Sequence, residues 1–131
     1  MMAETFGKTD IGGISRNWTT AVTNSYIISL ECQSGAAGEL ASISVYFSNL
    51  DEGRAAKCAI YDSSFNLLTN GETEKKTAPA GGWSREWITF DFPISPEVAA
   101  STTYYLAVWF QGSDGNPASM YWDTIHDALY W

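Results

Sequence analysis

The sequence predicts an antiparallel β-sandwich, and three observations carry that prediction. Short segments rich in Val, Ile, Tyr, Phe and Trp recur between turn signals along the 131 residues. Within several of them apolar residues alternate with small or polar ones, the two-residue period of a strand buried on one side. No segment sustains a helical period over three turns.

Taken in order, strands are expected at residues 25–32, 41–48, 55–62, 66–69, 85–92, 103–111 and 118–123, with short terminal strands at 4–7 and 128–131. That makes about seven to nine strands. Polar turns separate them: Ser34-Gly35 with Gly38, Asn49 to Gly53, Asn70-Gly71, Gly81-Gly82, and Gly112 to Pro117. In the second strand Ile43, Val45 and Phe47 share a face, opposite Ser42, Ser44 and Tyr46. In the third, Ala56, Cys58 and Ile60 oppose Lys57, Ala59 and Tyr61; in the fifth, Ile88, Phe90 and Phe92 oppose Trp87, Thr89 and Asp91. The segment 103–111 follows the same split but carries large rings on both faces: Tyr104, Leu106, Val108 and Phe110 on one, Tyr105, Ala107, Trp109 and Gln111 on the other. Such faces suit two sheets packed about 10 Å apart with their outer surfaces wet. Residues 93–100 read as a connection crossing between sheets, with Ile94 and Val98 plugging the edge of the core, although Ser95-Pro96 also has the form of a helix start.

Length and composition fit one domain spanning residues 1–131. Aromatic residues make up 15% of the chain, with six Trp, seven Tyr and six Phe, which argues against disorder. The net charge of −8 repels polyanions and leaves no basic stripe, so nucleic acid is not an expected partner. No apolar run approaches the roughly 18 residues of a membrane span, and the opening Met1-Met2-Ala3-Glu4-Thr5-Phe6 reads as no signal peptide.

The residues that carry chemistry are few. Cys32 and Cys58 either pair as a disulfide or sit as buried thiols, and with His126 as the single histidine no four-ligand Cys/His zinc site can be assembled. Asp123-Thr124-Ile125-His126-Asp127 offers a carboxylate beside a base, but a lone histidine near a terminus is ordinarily a surface or capping residue. Most acidic residues, among them Asp51, Glu52, Glu72, Glu74 and Asp114, read as solvated turn charges rather than a glycosidase pair. The turns at Asp51-Glu52-Gly53 and Gly112 to Asn116 offer oxygen ligands for a structural calcium, without a dedicated calcium-loop spacing. Asn17-Trp18-Thr19 is a glycosylation sequon of little weight.

The residues Ile43-Ser44-Val45-Tyr46, Cys58-Ala59-Ile60-Tyr61-Asp62, Gly81-Gly82-Trp83, Ile88-Thr89-Phe90 and Thr102-Thr103-Tyr104-Tyr105-Leu106-Ala107 carry a resemblance. Together with Glu4 to Gly13 they are similar to the jelly-roll β-sandwich modules of large secreted bacterial and archaeal proteins, which sit beside glycan-active domains. The likeness runs from Phe6 to Gln111, while the tail from Tyr121 to Trp131 departs from it. It implies a carbohydrate-binding or cell-surface module, and the leading expectation is a non-catalytic, extracellular or cell-surface one whose partner is a polysaccharide.

The rings on the non-core faces are Tyr46, Tyr61, Trp87, Tyr105 and Trp109, which form one platform if their strands are neighbours. A sugar ring presents an apolar C–H face edged by hydroxyls, so it needs flat aromatics with polar groups at the margin. Gln111, Asp91 and Lys57 are placed to supply that margin. A second cluster, Trp83, Tyr121, Trp122, Tyr130 and Trp131, is expected to be partly core. The rival reading is a structural, self-assembling subunit of a surface filament or particle, whose exposed rings are buried between copies.

Overall fold

In the computed structural model, strand pairing follows one rule: each strand meets the strand equally far from the other end of the chain. The structure describes residues 14–18, 25–111 and 118–122, with side chains over 31–47 and 49–110. The strands are β1 (Ile14–Trp18), β2 (Ser25–Gln33), β3 (Gly38–Glu39), β4 (Ser42–Leu50), β5 (Ala55–Asp62), β6 (Leu67–Thr77), β7 (Trp83–Asp91), β8 (Glu97–Val98), β9 (Thr103–Gln111) and β10 (Ala118–Trp122). Antiparallel ladders join β1 to β10, β2 to β9, β3 to β8, β4 to β7 and β5 to β6. This is one long nested hairpin. Rolling it up brings β10 beside β4 and β9 beside β5, giving four-stranded sheets ordered β1-β10-β4-β7 and β2-β9-β5-β6. The result is a jelly roll, which confirms the expected sandwich. No helix among the described residues is long and apolar enough to cross a membrane.

The inner faces form one core drawn from both sheets. Ile43, Val45, Phe47 and Phe90 come from one; Ala56, Cys58, Ile60, Tyr104, Leu106, Val108 and Phe110 from the other. These are the residues that the two-residue period turns inward, and burying each large side chain stabilises the fold by about 1.5–3 kcal/mol. The Tyr104 hydroxyl accepts a 2.7 Å hydrogen bond from the Ala99 N–H, so this buried ring keeps its polar tip satisfied. Trp83 is core, packed on Phe47 with centroids 5.5 Å apart. It lies an odd number of residues from Phe90, which strict alternation would put on the opposite face. Arg85, at φ 51°, accompanies the change of phase.

Several expectations need correction. The fourth strand is β6, running Leu67–Thr77 rather than stopping at 69, so Glu72 and Glu74 belong to a strand and not to turns. Asn70-Gly71 is not a hairpin turn: Asn70 takes φ 60° within the strand, and a Cβ on Gly71 would lie 2.7 Å from the Leu68 carbonyl oxygen. The segment β1 and the short β3–β8 ladder carry too little alternation to be read from sequence. In the 93–100 connection Val98 and Pro96 are buried, as an edge plug would be, whereas Ile94 is 64% exposed. The terminal strands at 4–7 and 128–131, the 112–117 turn, the tail members Tyr130 and Trp131, and the side chains of Tyr121 and Trp122 lie outside the described residues.

The β5–β6 ladder slips register between Lys57 and Ala59. Thr73 repairs it: its buried hydroxyl accepts from the Cys58 N–H at 2.9 Å and lies 3.2 Å from the Cys58 carbonyl and 2.9 Å from that of Glu74. A side chain thus replaces the strand partner that the bulge removes. Thr73→Val keeps the shape but leaves the Cys58 N–H unpaired, and urea unfolding should show a loss of about 1–3 kcal/mol. No measurable loss would mean that the hydroxyl does not serve the bulge.

Candidate functional site

The outer face of the β2-β9-β5-β6 sheet is a grid set by register. One row runs Lys75, Lys57, Trp109 across β6, β5 and β9; the next runs Glu72, Ala59, Ala107; the third runs Leu67, Tyr61, Tyr105 and on to Glu31 of β2. Rows two residues apart are about 7 Å apart along a strand. The middle row is the low one, because alanine stands there in both central strands. Between Trp109 and Tyr61 this leaves a groove of about 310 Å³, lined also by Lys57, Ala59, Glu72, Lys75 and Ala107. Tyr61, Tyr105 and Trp109 are all half-buried.

Polar groups stand at its margins. Lys57 Nζ donates to Glu72 Oε2 at 3.0 Å across the strand pair. Beyond the groove, in the Tyr61 row, the Tyr105 hydroxyl donates to Glu31 Oε2 at 3.1 Å, which raises its pKa by stabilising the protonated phenol. Phe65, at φ 62°, stacks on Tyr105 with centroids 4.2 Å apart and planes 28° from parallel. The turn that presents Phe65 is held by Asp62, whose Oδ1 accepts from the Ser64 N–H at 2.9 Å and the Asn66 N–H at 3.0 Å. Donation from Asn66, and then from Ser64, pulls this carboxyl below its ordinary range.

Of the five rings expected to form the platform, the sheet therefore gathers Tyr61, Tyr105 and Trp109. Tyr46 and Trp87 also meet, as register partners of β4 and β7 with centroids 5.5 Å apart and rings at 72°, but on the other sheet. The core separates the two groups by about 10 Å or more, so they are not one surface. Tyr46 is buried at 9% exposure, whereas Trp87, 37% exposed, shows a larger share of its surface than any of the three rings on the groove's sheet. The pair Ser44 and Thr89 beside them is tied hydroxyl to hydroxyl at 2.8 Å. Asp91 lies at the end of β7, away from the groove, whereas Lys57 is a margin group as expected. Gln111 ends β9 opposite Ser25, with its side chain outside the described residues.

Sequence reasoning missed Glu72, Lys75 and Phe65 as neighbours of the site. A bulge places the first two and a tight turn the third, and neither device shows in an alternation pattern. The signal that was present is Ala59 with Ala107, small residues at matching outward positions.

Other candidate chemistry is thin among the described residues. No group of three or more His, Cys, Asp or Glu side chains gathers there as a metal site. In the Asp51 turn Glu52 Oε2 accepts from the Gly81 N–H at 3.1 Å, a structural use of its carboxylate. Cys32 and Cys58 are unpaired thiols; burial pushes Cys32 up to about 12, with the charge of Glu31 adding to it, and pushes Cys58 well above its ordinary value. Thiols so protonated are poor nucleophiles. His126 and the sequon side chain Asn17 lie outside the described residues.

Comparison with protein-family models, curated proteins and solved structures finds no match to this chain.

The Asp62 turn has a titration signature. Its folded pKa lies below the unfolded value, so the turn is at full strength above about pH 4 and loosens as pH falls through the folded value. In an NMR titration the Ser64 and Asn66 amide protons should move together with a midpoint below ~3.9, the value for a free aspartate. A midpoint at or above that value would contradict the turn as described.

Proposed function

We infer that this chain is a non-catalytic carbohydrate-binding module that holds a polysaccharide in the groove on the outer face of the β2-β9-β5-β6 sheet. The observation that carries this reading is the alanine floor, Ala59 and Ala107, set between the rings of Trp109 and Tyr61. A flat ring beside a shallow floor suits the C–H face of a sugar. Lys57 and Glu72, bridged at 3.0 Å, stand where its hydroxyls would exchange hydrogen bonds. The resemblance to jelly-roll modules of secreted proteins supports the same reading, and with it an extracellular or cell-surface setting.

Self-assembly as a filament or particle subunit is the second reading. It is favoured by Phe65, Leu67 and Ile94, which expose 62%, 44% and 64% of their surfaces. Sedimentation over a wide concentration range separates the two. A monomer throughout fits the binding module, and concentration-dependent rings or fibres fit the subunit.

Trp109→Ala tests the groove. It should weaken binding in a glycan panel by at least tenfold while shifting the unfolding free energy little, because the ring lies outside the core. Leu106→Ala, on the inner face of the same strand, should instead cost about 2–5 kcal/mol. Binding untouched by Trp109→Ala, or a core-sized loss of stability, would remove the groove from consideration.

A further inference from the structure

The charge around the groove narrows what it can hold, given that it holds a glycan at all. The chain has fifteen acidic residues against seven Lys and Arg, yet two of those seven cations stand in one row of the groove wall. Lys57 and Lys75 are direct register partners across β5 and β6. Like charges placed opposite one another on a sheet destabilise it, so this arrangement works against the fold unless something lies between them. Glu72 answers only half of the demand: its Oε2 is 3.0 Å from Lys57 Nζ, while among the described residues Lys75 has no carboxylate within ion-pair distance. Lys76, the next cation along β6, is already engaged, 3.7 Å from Glu74 and 5.9 Å from the Phe90 ring centroid. Among the described residues Glu72 is the only acidic one lining the groove, which leaves there a local surplus of one positive charge in a protein that is negative overall.

That surplus has a direction. It lies in the Trp109 row, while a second acidic group of the outer face, Glu31, stands in the Tyr105 row and is held there by the tyrosine hydroxyl. The two rows are about 14 Å apart, so the outer face is cationic at its Trp109 end and anionic at its Tyr105 end.

We propose that the groove selects an anionic polysaccharide, one of whose sugars stacks on Trp109 while its acidic group is received by Lys75, with Lys57 held beside it by Glu72. The acidic group is a carboxylate, as in a uronic acid, or a sulfate ester; both accept charge-assisted hydrogen bonds from an ammonium group. The net charge of −8 opposes the approach of any polyanion, so binding depends on this local pair and not on a general basic surface.

The test is calorimetry or affinity electrophoresis of the whole chain with three probes of similar length: a polyuronate, a sulfated glycan and a neutral glucan. Wild type is compared with Lys75→Gln, Lys75→Arg and Trp109→Ala, each checked for an unchanged unfolding midpoint. The expected result is preference for a charged probe, a loss of about tenfold or more in Lys75→Gln, recovery in Lys75→Arg, and weakening with added salt. Which charged probe binds distinguishes carboxylate from sulfate. Equal binding of the neutral glucan, dependent on Trp109 and indifferent to Lys75→Gln, overturns this proposal but leaves carbohydrate binding standing. Failure of all three probes overturns both.

Discussion

The pairing of β5 with β9 is the contact on which the rest of the structure depends. It is not a local ladder: β5 already pairs with its hairpin neighbour β6, and β9 with β2. Joining them closes the roll, and the loop-closure entropy of that long-range contact must be offset by what it buries. The inner residues supply the offset, since Ala56, Cys58, Ile60, Leu106, Val108 and Phe110 are all at most 4% exposed. The same register that aligns Ile60 with Leu106 and Cys58 with Val108 aligns Ala59 with Ala107 on the reverse face. Core and groove are therefore two sides of one ladder. A slip of one residue would exchange them, and would put Lys57 and Tyr61 into the interior.

The edge strand β6 adds what the central pair cannot. An edge with a long row of open hydrogen-bonding groups invites pairing with another chain, and β6 blunts this with Glu72, Glu74, Lys75 and Lys76 and with its bulge. The bulge also brings Glu72 and Lys75 to the same wall of the groove, as residues an odd number apart would not otherwise be. Thr73 makes it tolerable by satisfying Cys58 from the side chain. One irregularity thus connects a buried hydroxyl, the protection of the edge and the charges beside the groove.

How much of this was legible in the sequence depends on the physics behind each part. The core faces of β4, β5 and β9 were readable, because burial on one side imposes a period of two on Ile43, Val45 and Phe47, on Ala56, Cys58 and Ile60, and on Tyr104 through Phe110. Trp109, Tyr105 and Tyr61 were identified as outward rings by the same rule. What the rule cannot express is a break in phase, so β6 beyond Asn70 and the entry of Trp83 into the core at Arg85 were not visible. Nor does alternation say which sheet a strand joins. Tyr46 and Trp87 pass the same outward test as Tyr61 and Trp109, and the assignment of β4 and β7 to the other sheet, a property of the whole roll, divides them.

The function proposed for the chain rests on one geometric claim, that the low row at Ala59 and Ala107 is a place where a chain of sugars lies. Backbone resonances mapped during titration with an acidic oligosaccharide test it most directly. The account predicts shifts concentrated at Lys57, Ala59, Tyr61, Glu72, Lys75, Ala107 and Trp109, with Tyr46 and Trp87 on the far sheet unmoved. Shifts centred on Tyr46 and Trp87, or scattered without regard to the groove, would contradict it.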